Sequence, residues 1–240
     1  MYEERSYRKL MQSDGLVSFT VIENESDLHI SAESNLEQNA SSILLEIRSQ
    51  LYGYINDHPE FKSSLVPVGV GPSAPLIIQK MSQAASIANV GPMASVAGAV
   101  AEAVGNSLLE HSTEVIVENG GDLFIKCNNA KKVLIHAGDS LFSEKLALLL
   151  KPSDYPIGIC TSSGKIGHSL SFGKADAVVA LSQNTCLADA AATAVANRVK
   201  CIEDIESALS WGMALPGISG LLIIIDDKLG ASGNISLSRP

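Results

Sequence analysis

Hydrophobic and polar residues alternate over residues 15 to 23 (GLVSFTVIE) and 27 to 31 (DLHIS), and both stretches carry β-branched residues. The alternation predicts two strands joined in a hairpin, with Asn24-Glu25-Ser26 at the bend. The period then changes. Leu36, Ala40, Ile43, Leu44, Ile47, Leu51 and Tyr54 recur at helical spacing, and Pro59 lies beyond the end. Residues 63 to 75 are rich in Pro and Gly and read as a loop. Helices are expected over 75–88 and 93–110, separated by Asn89-Val90-Gly91-Pro92-Met93. Strands are expected over 113–118, 122–127 and 132–137, with Asn119-Gly120-Gly121 joining the first two. Residues 142–150 read as a helix. Residues 157–160 and 176–181 read as strands around a loop rich in Ser and Gly. Helices at 186–199 and 203–213 follow, then an apolar strand at 220–225, Asp226-Asp227 and a polar tail.

Strands and helices intermingle, yet neighbouring strands are often joined by short turns. That pattern predicts an α+β fold with a mainly antiparallel sheet and helices packed on it. No low-complexity linker divides the chain, so residues 1–240 are expected to form a single domain.

Composition sharpens this picture. Hydrophobic residues make up 46%, charged residues 18% and aromatics 5% of the 240 residues, and Trp211 is the sole tryptophan. Such a chain is too apolar for intrinsic disorder, and its four cysteines are too few for a disulfide-stapled scaffold. The bias is toward small residues, which let backbone segments approach closely. Net charge is −9, and beyond Lys131-Lys132 there is no basic cluster, so no nucleic-acid partner is expected. Any phosphate would have to be held by backbone N–H groups or by a metal.

Residues 81 to 101 carry no charge, but Ser82, Gln83, Ser86, Asn89, Pro92 and Ser95 interrupt them and Gly91-Pro92 breaks any helix. Two buried helices meeting at a turn are expected rather than a membrane span. The N-terminal MYEERSYRKL has no apolar run, so no signal peptide is expected. Cys127, Cys160, Cys186 and Cys201 form no CxxC pair and fit reduced thiols in a cytoplasmic protein.

Four segments could carry chemistry, and each also has a purely structural reading. In Glu118-Asn119-Gly120-Gly121-Asp122, the glycines fit a tight hairpin turn. Alternatively they let a ligand lie against the backbone, with Asn119 and Asp122 as polar contacts. Gly158 to Ser169 (GICTSSGKIGHS) is not a P-loop, because five residues separate Gly158 from Gly164 and Ile166 stands where Ser or Thr is required. Either it is a polar surface loop, or Thr161, Ser162 and Ser163 bind phosphate and His168 acts as a general base. Asp189 and Thr193 are four apart, so on a helix they share one face. A carboxylate and a hydroxyl there suit Mg2+; alternatively Asp189 serves a helix dipole and Thr193 packs. Gly91, Pro92 and Met93 form a turn ahead of Gly98, whose place inside a helix calls for close packing or a ligand.

Together and in order these segments resemble the ApbE superfamily, and within it the uncharacterised ApbE-like family found in bacteria and archaea. The matching stretches are FKSSLVP (61–67), ANVGPMASVAGAVAEAVG (88–105), VIVENGGDLFI (115–125), GICTSSGKIGHSLSFGKADAVV (158–179) and CLADAAATAVANRV (186–199). ApbE is a Mg2+-dependent FAD:protein FMN transferase. The resemblance implies a flavin-type nucleotide such as FAD with Mg2+, and transfer of a phosphoryl-linked group. By this resemblance, Asp189 and Thr193 are metal ligands and His168 is the reactive-site histidine. The same resemblance puts the segment with Asn119, Gly120, Gly121 and Asp122 beside the nucleotide; Thr161, Ser162, Ser163, Gly91 and Met93, from the other candidate segments, are further expected contacts. Two segments depart from the ApbE pattern: Ala97 stands where ApbE has a lysine, and 169–173 replaces an Asp-Pro-x-Thr-Gly stretch. Two other roles use the same fold: sulfur assimilation and homocysteine formation, with Cys160 in the loop, or a scaffold with a degenerate site. The alanine-rich helices are compatible with a homodimer.

Overall fold

A computed structural model describes residue 8 and residues 15–164 and 173–240. Eight strands form one antiparallel sheet. β1 (Val17–Glu23) and β2 (Ser26–Ala32) form the expected hairpin, with Asn24 at φ 51° in its two-residue turn. β3 (Val115–Asn119), β4 (Asp122–Lys126), β7 (Ile157–Ser162), β8 (Ala177–Ser182), β9 (Ile218–Ile225) and β10 (Lys228–Gly233) complete it, in the spatial order β1-β2-β3-β4-β7-β8-β9-β10. A second sheet of three strands is formed by β5 (Lys131–Leu134), β6 (Ala147–Leu150) and β11 (Leu237–Ser238). The α+β class and the antiparallel pairing expected from the sequence are both present.

The helices are α1 (Glu37–Asp57), α2 (Pro59–Ser63), α3 (Leu76–Ala88), α4 (Val96–Leu108), α5 (Thr185–Ala196) and α6 (Asp204–Met213). They cover one face of the large sheet, and the core there includes Leu44, Ile78, Met81, Val117, Phe124 and the alanines of α5. The small sheet covers the other face, where Leu148, Ile159, Leu181 and Leu222 meet. Both faces of β8 are therefore buried, and it reads as an unbroken apolar run because neither side meets water. α3 and α4 bend by 102° about Gly91-Pro92. Among the described residues, no single helix is long and apolar enough to cross a membrane.

Residues 142–150 are not a helix. Turns span 139–145 and β6 follows, with Leu148 and Leu150 buried and Leu149 exposed. A short apolar run has no period that separates strand from helix. Pairing with β5 and β11 decides the matter against the helical preference of leucine. The tail beyond Asp226-Asp227 likewise holds β10 and β11, closed onto β9 and β6.

The alanines make close contacts within the chain. Every alanine of α5 has a relative exposure of 0%. α4 and α5 approach so closely that a Cβ at Gly98 would lie 2.6 Å from the Thr185 carbonyl oxygen and 2.8 Å from the Asp189 Cβ. Helix packing thus accounts for this glycine. Gly98→Ala gains about 1 kcal/mol of helix propensity but meets backbone atoms that cannot rotate away, an overpacking cost of about 1–3 kcal/mol. We expect net destabilisation of up to about 2 kcal/mol, measurable by urea denaturation.

Candidate functional site

The Glu118–Asp122 segment is the hairpin turn between β3 and β4. Asn119 pairs with Asp122 across two glycines at φ 66° and 100°, a geometry that side chains disfavour. Alternation then sends Asn119 and Asp122 toward the helices and Glu118 toward the opposite face. The turn and ligand readings are therefore compatible. A Cβ added at Gly121 would meet nothing within 4 Å, so the outer side of the turn is open.

Asp122 is buried. It accepts a hydrogen bond from the Thr161 N–H at 3.2 Å and interacts with the Cys160 thiol. It also contacts Asp189 from α5. Asp189 accepts from the Gly98 N–H at 2.8 Å and from the Ala97 N–H. These are unpaired donors in the first turn of α4, whose own N-cap residue, Ser95, offers no side-chain bond to that turn. Asp189 therefore serves a helix dipole, but the dipole of α4 rather than of its own helix. Asn119 adds a bond from its Nδ2 to the Ala97 carbonyl at 3.0 Å.

Two neighbouring carboxylates held out of water favour the protonated form. Burial pushes Asp122 well above the usual carboxylate range, and the charge of Asp189 adds to the effect. Burial likewise raises Asp189, to about 7.

Ser162 lies on the helix-facing side of β7. It is buried, and its Oγ has no hydrogen-bond partner among the described residues. Gly158 is packed against Thr185, and Asp122 pairs in register with the level of Cys160, where Asp189 sits. α5 and β7 thus run in the same direction. The roughly 12 Å of helix from Thr185 to Thr193 matches about four strand residues, which brings buried Thr193 to the level of Ser162.

The Asn119–Asp122 turn, the end of β7 and the Asp189/Thr193 face are thus brought together. Gly91 belongs to packing: it lets the backbone of Ser64 and Leu65 pass. Met93 is half-buried against the helical core. Ser163 is half-buried just beyond β7. His168 lies outside the described residues. Cys160 is fully buried, and burial pushes its thiol well above the usual range, which keeps it protonated and poorly nucleophilic.

Sequence reasoning missed Glu102. Its Oε2 accepts from the N–H groups of Thr185 at 2.7 Å and Cys186 at 3.2 Å, while Oε1 pairs with Lys80 at 2.7 Å. It thus anchors the start of α5, and with it Asp189. The signal was a lone charge ending the uncharged stretch 81–101.

This site sits in a fold shared with known proteins. The structure is similar to the flavinyl transferase ApbE of Pseudomonas stutzeri, with a TM-score of 0.60 at 12% identity, over 91% of this chain and 94% of that one. It is also similar to the ApbE protein of Thermotoga maritima, with a TM-score of 0.53 at 13% identity, over 93% and 96% of the two chains. The architecture is thus the ApbE fold. A family model described as AbpE bacteria matches residues 8–214, and the chain belongs to this ApbE-like family. A UPF0280 protein of Methanocaldococcus jannaschii is 38% identical over 203 residues, 82% of each chain. Another from Methanococcus aeolicus is 34% identical over 221 residues, covering 90% of this chain and 89% of that relative.

The carboxylate pair makes stability depend on pH. Folded-state pKa values raised above the unfolded value of about 4 mean that the folded form holds a proton the unfolded form has released. The stabilisation is complete below about pH 4 and is lost as pH rises toward 7. Glu25, lowered to about 2 by Tyr52 and its surroundings, acts below this window. Metal-free protein kept in a chelator should lose melting temperature between pH 5 and 8. Asp189→Asn should flatten that slope, as read by thermal melts across pH.

Proposed function

We propose that the protein binds a flavin-type dinucleotide, FAD, with Mg2+ at the corner where Asp122 meets Asp189, and transfers a phosphoryl-linked group from it. The carboxylate pair carries this reading. Two carboxylates pressed together and holding a proton are costly to keep unless they serve a charge, and a divalent cation is the natural replacement for that proton.

The donor set fits a hard cation. Asp122, Asp189, Thr193 and the unpartnered Ser162 hydroxyl are all oxygen donors. Among the described residues, no three or more His, Cys, Asp or Glu side chains gather in a metal-binding group. Backbone oxygens, phosphate and water would complete the shell, as is usual for Mg2+. Bound there, Mg2+ would neutralise charge developing on a pyrophosphate.

The chain's own residues divide the remaining work. Gly120 is exposed and a Cβ at Gly121 would meet open space, which leaves room for a nucleotide to lie along the backbone. Asn119 holds the turn to α4. Asp189 fixes the start of α4 relative to α5. His168 is the base assigned to the acceptor hydroxyl in this proposal. The family membership and the shared ApbE fold support the same reading.

Purified protein titrated with FAD in the presence of Mg2+ should bind it by calorimetry and acquire the visible flavin band. A chelator or Asp189→Ala should weaken binding at least about tenfold, the loss of a charge-assisted contact. Binding that is absent from the wild-type protein, or indifferent to both changes, overturns the proposal.

A further inference from the structure

The turn that carries Asp122 is also held from the other side of the sheet. Glu118 points away from the helices, and its Oε1 accepts the Gly121 N–H at 2.9 Å. Its Oε2 accepts from the Nε of Arg8 at 2.6 Å. The same guanidinium donates to the Asp27 carboxylate at 2.6 Å and to the Asp27 carbonyl at 2.7 Å. The Arg8 side chain is 14% exposed, and those of Asp27 and Glu118 are 4% and 2% exposed. One half-buried cation thus bridges two buried carboxylates on neighbouring strands, 19 and 110 residues away in sequence.

The contact is more than adhesion of an N-terminal segment. Glu118 can bind the Gly121 N–H only in the rotamer that keeps its carboxylate against the turn. Arg8 occupies the other oxygen of that carboxylate. Without the guanidinium, Oε2 of Glu118 loses its charge-assisted donors, and the rotamer that serves Gly121 is held less firmly. The two glycines, both at positive φ, are the softest point of the hairpin.

We propose that Arg8 is a positioning residue of the candidate site: through Glu118 it fixes the Gly120-Gly121 turn, and with it Asp122, from the opposite face of the sheet. This deepens the nucleotide-site reading, because it makes ligand binding depend on a residue that touches no ligand.

Amide hydrogen exchange on the full-length protein tests it without a ligand. In Arg8→Ala, exchange at Gly121 should accelerate at least about tenfold while the centres of β8 and β9 remain protected. Glu118→Gln keeps an acceptor for Gly121 but gives up the charge that Arg8 grips, so it should accelerate the same amide, and adding it to Arg8→Ala should cost little more, because both changes act through one contact. Arg8→Lys, which cannot bridge both carboxylates with a planar fork, should fall between. FAD affinity with Mg2+ should follow the same order, falling about tenfold in Arg8→Ala. Unchanged exchange at Gly121, uniform loss of protection across the sheet, or fully additive effects of Arg8→Ala and Glu118→Gln overturns the proposal. Should the wild-type protein bind no FAD, the nucleotide reading fails, and the exchange measurements still decide the role of Arg8.

Discussion

The contact between Asp122 and Asp189 is the constraint on which this architecture turns. Asp189 projects from α5, caps the first turn of α4 and meets a carboxylate at the start of β4. Three elements from distant parts of the chain thus converge on one proton. Such a pair is weak evidence for stability, because taking carboxylates out of water costs more than their contacts return. A fold that wanted only stability would place an apolar pair here. That cost is the physical reason to regard this corner as functional.

Bringing the two carboxylates together demands small residues around them. Asp189 reaches the α4 N–H groups because Gly98 has no side chain to hold the helices apart. α5 reaches β7 because Gly158 faces Thr185. The fully buried alanines of α5 let the sheet and α4 close on it. The small-residue bias of the chain follows in part from these close approaches, which lie beside a core of larger side chains such as Leu44, Ile78 and Phe124. The alanines of α5 are fully covered within the chain.

Much of this was legible in the sequence. Glycines with an Asn before them and strands on either side specify a tight hairpin, and helical spacing of Asp189 and Thr193 places them on one face. Alternation and turns gave most of the large sheet. What escaped depends on tertiary partners. The run Ala147–Leu150 is a strand because β5 and β11 lie beside it. Glu102 looks like an ordinary helix charge until its carboxylate is seen at the start of α5. The strand expected over 157–160 runs on to Ser162, so Thr161 and Ser162 belong to β7 rather than to the Ser/Gly loop. No local pattern could have joined Arg8 to Glu118, which lie 110 residues apart.

The two-residue period of a strand explains how one short turn can serve so many partners. Glu118 and Asn119 are neighbours, so they point to opposite faces. Asn119 secures the turn to α4 on one face, and Glu118 secures it to Arg8 on the other. A two-residue hairpin needs neither anchor to close. Anchoring from both faces instead removes the rocking motion that the glycines would otherwise permit, and that motion is the one that would move Asp122 relative to Asp189. Open backbone on the outside and fixed carboxylates on the inside are conflicting demands on a Gly-Gly turn, and the paired anchors reconcile them.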